Sequence, residues 1–463
     1  MVTATGFFST VPSIDLLVGR LMAAERQPLE RLRAQQSGLA TRAAVLTDLK
    51  GLLASLESVV RELAKSDATS VFRSRSVTSS DTSKVSATVD ASASSASYAI
   101  EVTQLAKAHR VASARQSSST ASLGLSGTVQ VNGVQVVINA GNDSLEGIRD
   151  AINGAAYAQG QEVVATIVDN TLVLERATTG AGNTIAAPDV SGDVLQALGV
   201  LDGTGAFANE LQAAQDAVFT VNGLGVTSPK NSGISHAIGG VTLDLKGETT
   251  APVTLTVSTD TTAITGKVRS FLTALNNVGS YLRSKTRAAD SGLGLDRGPL
   301  AGDPVFAGLR LALLAEVTGQ VDGLGPGSPS YLTDLGVTFG KDLQVTLTDS
   351  TRLEQLLRDT PAQVAAVFNS ADGIATRLVA LLEPYTATSG IVDDTVEAVH
   401  GQQNTLDGRI RQAEERLRHR QEYLRSQLMA MQETLSLLQQ QQWYVSSLVN
   451  FVGSQAPAFP GLP

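Results

Sequence analysis

Heptad spacing at both ends of the chain constrains its fold more than any other feature. Near the N-terminus, Leu32, Leu39, Leu46, Leu53 and Val60 recur at every seventh position, with Leu49, Leu56 and Leu63 as a companion row. Near the C-terminus, Ile410, Leu417, Leu424, Met431, Leu438, Val445 and Val452 repeat the spacing. An apolar residue at each seventh position keeps one stripe of a helix turned toward a partner helix, so each stretch predicts a helix with a packing seam. The N-terminal rows also fit an ordinary amphipathic helix in a bundle. That helix is expected over 13–65, with Ser13 as N-cap and Asp15 in the first turn. Pro28 falls within it and lacks a backbone N–H, which predicts a kink or a fresh helix start. Gln36, Lys50, Arg420, Gln427 and Gln442 break the apolar rows. They read either as solvent-exposed positions or as polar seam residues that set specificity at some cost in stability.

Between these ends the periodicity changes. Residues 66–97 are rich in Ser and Thr, but the alternation in Val85–Val89 favours exposed strands over a disordered linker. Tyr98–Val102, Thr128–Val131, Val134–Ile138, Val163–Val168, Leu172–Glu175, Ala217–Val221, Val241–Leu245 and Val253–Val257 all read as strands. One short helix, Ser144 to Asn153, interrupts them. Two segments share a pattern: Val129-Gln-Val-Asn-Gly133 leading to Ala151-Ile152, and Phe219-Thr-Val-Asn-Gly223 leading to Ala237-Ile238. Asn-Gly between strands is a hairpin signal, because both residues accept positive φ. The shared Ala-Ile further on suggests an internal repeat. Helical periodicity returns over 262–287, after the Asp303-Pro304 start signal, and in short pieces at 351–357, 361–368 and 373–385; Leu343–Leu347 reads as a strand.

Signals for chemistry are sparse. Four histidines, His109, His236, His400 and His419, lie far apart, and there is no cysteine, which excludes disulfides and thiolate chemistry. No phosphate-loop, H-E-x-x-H or G-x-S-x-G pattern occurs. Gly323–Gly327 reads as a loop, and the adjacent Asp393 and Asp394 read as helix-start residues. We therefore expect no catalytic, cofactor-binding or metal-binding residues and no enzyme activity. The net charge of −9 argues against a nucleic-acid partner. No long apolar run predicts membrane insertion, and Met1 to Pro12 does not resemble a cleavable secretory signal.

Several ordered pieces resemble one family. Ser13–Met22 followed by Glu25–Leu32, Tyr98–Ala106, Ser144–Asn153, the two Val-Asn-Gly segments, Leu300–Asp303, Leu335–Val337 and Tyr423–Leu428 are together similar to the bacterial flagellar filament cap proteins, the hook-associated protein 2 family. Phe7–Ser13 departs from the family where a glycine-rich Ser-Gly often stands before Ile-Asp, and Leu428 stands where Phe is frequent.

The expected fold class is α+β and multidomain, with terminal coiled-coil legs enclosing inserted antiparallel β-rich head domains. The expected divisions are an N-terminal helical segment 1–65, an inner β head domain in two parts (66–120 and 207–261), and an outer β module 121–206. A helical leg 262–395 packing with the N-terminal helix, a C-terminal coiled-coil helix 396–452 and a disordered tail 453–463 complete the division. The expected coiled-coil or oligomerisation residues, packing the two ends together or against partner subunits, are Leu32, Leu39, Leu46, Leu53, Val60, Ile410, Leu417, Leu424, Met431, Leu438 and Val445.

The resemblance implies a structural cap at the filament tip, an extracellular site reached by the flagellar type III route. It implies as partners other copies of the chain in a pentamer-like ring, flagellin, other hook-associated proteins and an export chaperone at the C-terminal region. An alternative is a surface adhesin whose β head binds host mucin or glycans.

Overall fold

The computed structural model describes residues 14–292, 294–340 and 344–453, with side chains through residue 448. The chain begins with one helix, α1 (Ile14–Ala64), and its described part ends with another, α9 (Ile391–Gly453). Between them run β1 (Arg75–Ser79), β2 (Val85–Val89), β3 (Ala96–Gln104), β4 (Ala108–Ala112), β5 (Gly127–Val131), β6 (Val134–Ile138) and α2 (Leu145–Asn153). Next come β7 (Val163–Val168), β8 (Thr171–Thr179), β9 (Asp189–Ser191), α3 (Val194–Ala197), β10 (Glu210–Gln212) and β11 (Ala217–Val221). Then follow β12 (Leu224–Ser228), β13 (Ile234–Ile238), β14 (Val241–Leu245), β15 (Val253–Thr259), α4 (Thr261–Thr286) and α5 (Pro304–Thr318). The remaining elements are β16 (Val337–Phe339), β17 (Val345–Leu347), α6 (Ser350–Asp359), α7 (Pro361–Asn369) and α8 (Ile374–Thr386).

Three apolar cores follow this order. The innermost β unit stacks the sheet β1-β15-β3-β11-β12 against the sheet β13-β14-β2. Alternation makes the core: Val241, Leu243 and Leu245 of β14 are buried while Thr242 and Asp244 between them are not, and Phe219 and Leu255 close it from the other sheet. The outer unit is an excursion between β3 and β11, which are neighbours in the inner sheet. It joins the sheets β10-β4-β8-β7 and β6-β5-β9 around Val129, Ile138, Leu174 and the apolar face of α2. The third core is helical. Residues 43–63 of α1 pack on α4, α5 and α6–α8, with Phe368 ring-stacked on Phe72 at 5.5 Å and edge-on to Phe271 at 6.3 Å. Tyr281 ties α4 to α1 by donating to the Val45 carbonyl at 3.1 Å and to Asp48 at 3.2 Å. Burial, and secondarily Asp48, push its phenol up to about 12.

Local signals explain most boundaries. Ser144 caps α2 by accepting from the Gly147 N–H, and Asp303 caps α5 from just before Pro304. Asn132 and Gly133 have φ of 46° and 86°, and Asn222 and Gly223 have 49° and 80°, so both Asn-Gly pairs turn hairpins. Each Asn also clips a neighbouring chain. Asn132 exchanges hydrogen bonds with Ala186, and Asn222 does the same with Ala99.

Five expectations are corrected. Pro28 starts no new helix but lies inside a continuous α1, where Met22 and Leu29 on either side of it are buried and line one groove with Leu417 of α9. Packing on both sides outweighs the ~3 kcal/mol that an interior proline costs. The 66–120 and 121–206 division is displaced at both ends, because β4 pairs with β8 and β10 pairs with β4, placing both in the outer sheet. The 395/396 boundary falls inside α9. The repeat does not extend past the hairpins, since Ala151-Ile152 lies in a helix and Ala237-Ile238 in a strand. The outer unit also contains a short helix, α3, that carried no periodic signal. Ser13, Val452 as a side chain and the tail from 454 lie outside the described residues.

One apolar stretch within Pro361–Leu448 reaches a mean hydropathy of 1.3 over 18 residues. The Pro361–Leu448 span is not one helix but is divided among α7, α8 and α9. The first two, at 9 and 13 residues, are shorter than the ~20 needed to span a bilayer, and both contribute buried side chains to the helical core.

Candidate assembly interface

α1 and α9 run antiparallel, and a ladder of paired side chains fixes their register. Lys50 meets Asp393 at 2.6 Å, Gln36 donates to Asp407, Arg33 meets Glu414 at 2.7 Å, Arg420 meets Glu25 at 3.3 Å and Arg425 meets Asp15 at 3.4 Å. Residue numbers fall along one helix as they rise along the other, as an antiparallel pair requires. Gln36, Lys50 and Arg420 are thus ladder partners, whereas Gln427 and Gln442 are exposed. The Lys50 ammonium, helped by the Ser389 N–H, holds the Asp393 carboxyl below the usual carboxylate range. Beneath the ladder a small apolar seam joins Leu29, Leu406, Ile410 and Ala413, flanked by half-buried Leu32, Leu39 and Leu417.

The predicted seam residues divide into three environments. Leu46, Leu53 and Val60 are fully buried in the chain's own helical core. Of the two roles open to them, helix packing within the chain and contact between subunits, burial leaves these three the first, because no surface of theirs is left for another chain. Leu32, Leu39, Ile410, Leu417 and Leu424 are buried or half-buried where α1 faces α9. Met431, Leu438 and Val445 are 54%, 55% and 58% exposed. From Met429 to Leu448 every side chain on α9 is exposed. Arg425 already reaches Asp15 at the described start of α1, so α9 runs on for roughly 40 Å without a described partner helix.

This overhang is apolar. Met429, Leu435, Leu437, Trp443, Tyr444 and Leu448 are each about half exposed or more. Trp443, at 72%, is the chain's single tryptophan. Periodicity found the row of Met431, Leu438 and Val445, but not the aromatic pair, which lies outside the heptad positions. Bulk and exposure together mark that pair, since tryptophan and tyrosine are typical interface anchors. Among the described residues no group of three or more His, Asp or Glu is arranged to hold a metal ion. His109 is buried, accepting from the Ile185 N–H at 2.9 Å and lying 3.1 Å from Glu210, so both ring nitrogens serve the outer unit's packing.

Terminal helices enclosing two nested antiparallel β units are the architecture that the sequence resemblance implied; the apolar overhang of α9 was not part of it. Residues 13–109 match the profile of the flagellar hook-associated protein 2 N-terminus, and residues 214–440 match that of its C-terminus. The chain belongs to the flagellar hook-associated protein 2 family. The A-type flagellar hook-associated protein 2 of Pseudomonas aeruginosa is 29% identical over 452 residues, covering 90% of this chain and 92% of that protein. The flagellar hook-associated protein 2 of Escherichia coli K12 is 27% identical over 430 residues, covering 87% and 89%. The crystal structure of the D1-D2-D3 domains of the Escherichia coli flagellar cap protein FliD superposes with a TM-score of 0.61 at 26% identity. It covers 77% of this chain and 99% of that one. The fold class is shared: terminal helices enclosing antiparallel β domains. These relatives lend no support to the adhesin alternative.

Proposed function

We propose that this chain is a structural cap protein at the distal tip of the bacterial flagellar filament, promoting ordered addition of exported flagellin and preventing its loss. Membership of the cap family supports the tip location, outside the cell. The observation that carries the working mechanism is the exposed apolar row on the overhanging half of α9. An exposed stripe of this length on a helix is a surface awaiting a partner. Copies of the chain associate through it in a pentamer-like ring and rest on flagellin or on other hook-associated proteins. Before assembly an export chaperone covers the C-terminal region, and the chain leaves by the flagellar type III route. The β units form the head above. The mechanism is associative, with no substrate turned over: many moderate contacts hold the cap in place while subunits enter beneath it.

The test is complementation of a strain lacking this protein with the Leu438→Asp, Val445→Asp double variant. A charge at each position removes the apolar match without touching any buried residue. The expected outcome is short or absent filaments with monomeric flagellin in the medium, and a variant that is exported and folded. Normal filaments in that strain would overturn the role given to the overhang.

A further inference from the structure

Asn-Gly occurs three times in the chain, at Asn132, Asn153 and Asn222. The dipeptide is prone to spontaneous deamidation, because glycine has no side chain to shield the backbone nitrogen that attacks the asparagine carboxamide. The preceding residues are Val131, Ile152 and Val221, so the three pairs have nearly the same reactivity in an unfolded chain. The fold sets them apart. Asn153 ends α2 and is held most firmly. Its carboxamide donates to the Ala165 carbonyl at 2.9 Å and accepts the Ala165 N–H at 2.7 Å, and the Gly154 N–H donates to the Asp150 carbonyl at 2.8 Å. Asn132 is half-buried and also uses both ends of its carboxamide, donating to the Gln161 carbonyl at 2.9 Å and accepting the Ala186 N–H at 2.8 Å. Asn222 is exposed and uses one end alone. Its oxygen accepts the Ala99 N–H at 2.8 Å, while its amide nitrogen makes no hydrogen bond among the described residues.

We infer that Asn222 is the chain's principal site of spontaneous deamidation. The nucleophile is the Gly223 nitrogen, which lies in the exposed two-residue turn between β11 and β12 and donates no hydrogen bond among the described residues. Loss of its proton to solvent lets it attack Asn222 Cγ. The N–Cγ bond forms, the Cγ–Nδ2 bond breaks, and Nδ2 takes up a proton and leaves as ammonia. Water then opens the cyclic imide at either carbonyl, giving aspartate or isoaspartate. Both products put a negative charge at the hairpin tip beside Leu224, which is 73% exposed. The aspartyl product keeps an oxygen for the Ala99 N–H. The isoaspartyl product adds a backbone carbon to a turn whose length fixes strand register, so β12 loses its pairing with β11. The inference stands on the inner and outer β units alone and does not depend on the cap reading.

The test is peptide mapping by mass spectrometry of the full chain aged at mildly alkaline pH, folded and in urea. In urea the three asparagines should deamidate at closely similar rates. In the folded chain the order should be Asn222, then Asn132, then Asn153. Asn222 should lead Asn132 by about fivefold or more, because the Asn132 carboxamide must first give up a further hydrogen bond. Asn132 or Asn153 reacting as fast as Asn222 in the folded chain would overturn the proposal. So would a folded Asn222 that stays intact while the urea sample converts. A lead for Asn222 that is as large in urea would trace it to local sequence, and the role given to the fold would be refuted. The isoaspartyl form, separated by chromatography from aged protein, should exchange the Val226 amide faster than the parent and leave the Val129 amide unchanged. Unchanged exchange at Val226 would overturn the loss of register.

Discussion

The near end of α1 and the far end of α9 carry the same heptad pattern and meet opposite fates. Leu46, Leu53 and Val60 are fully buried in a helical core that their own chain supplies, chiefly from α4, α8 and the start of α9, whereas Met431, Leu438 and Val445 are exposed. A seven-residue apolar period therefore states that a helix face has a partner, and leaves the partner's identity to the rest of the chain. The near end lies beside the compact helical segment 261–399, which supplies its own cover. The far end runs past the described start of α1, and nothing in the described chain reaches it.

The largest expected effect lies at the buried end. Leu53→Ala removes a fully buried side chain from a closed core and should cost about 2–5 kcal/mol of protomer stability. Thermal or denaturant unfolding of the monomeric protein reads it directly. Leu438→Ala should fall within about 0.5 kcal/mol of the parent in the same measurement, as exposed positions do, while weakening self-association. Equal losses from both substitutions would break the distinction between an internal and an external seam.

Sequence patterning located both helices, most of the strands and the two hairpins, because each rests on a local signal: an apolar period, a cap or a residue tolerant of positive φ. It failed where the deciding term is long-range. β10 is three residues with a register shift, and its membership of the outer sheet depends on Val111, a hundred residues earlier. Pro28 is tolerated because α9, arriving nearly four hundred residues later, packs across it. The roles of Gln36, Lys50 and Arg420 were open for the same reason, since each partner lies on the opposite terminal helix. Of the interface, the heptad row was legible, but the division into covered and uncovered halves was not, because the length by which α9 outruns α1 is a property of the folded pair.

An intermediate effect is expected where the two ends first meet. Asp393 closes the ladder nearest the helical core, and its carboxyl is held low mainly by Lys50. A carboxyl whose folded pKa lies below its unfolded value stabilises the fold fully above the unfolded value of ~3.9. That contribution disappears as pH falls through the folded pKa. Asp393→Asn should therefore lower the melting temperature near neutral pH and flatten its decline below about pH 4. Parallel melting curves for parent and variant across that acid range would remove Asp393 from the ladder's stabilising members. The effect should be smaller than that of Leu53→Ala, because both partners are about one-third exposed and water screens the pair.

The smallest expected effect is at the far rung of the ladder. Arg420 and Glu25 approach to 3.3 Å with side chains 48% and 40% exposed, and the Arg420 guanidinium also lies 5.6 Å from the Tyr423 ring centre. An exposed pair gives only about 0.2–1 kcal/mol, and salt reduces it further. Arg420→Ala should therefore leave the melting temperature within a degree or two of the parent at high salt, with a slightly larger gap at low salt. Its sharper signature is local. Opening this rung should increase amide exchange in 14–26 of α1, the stretch around Glu25, Val18 and Met22 farthest from the helical core, and leave 43–63 unchanged. Faster exchange throughout α1 would mean that the helix opens as one cooperative unit, and that its two ends are not independently held.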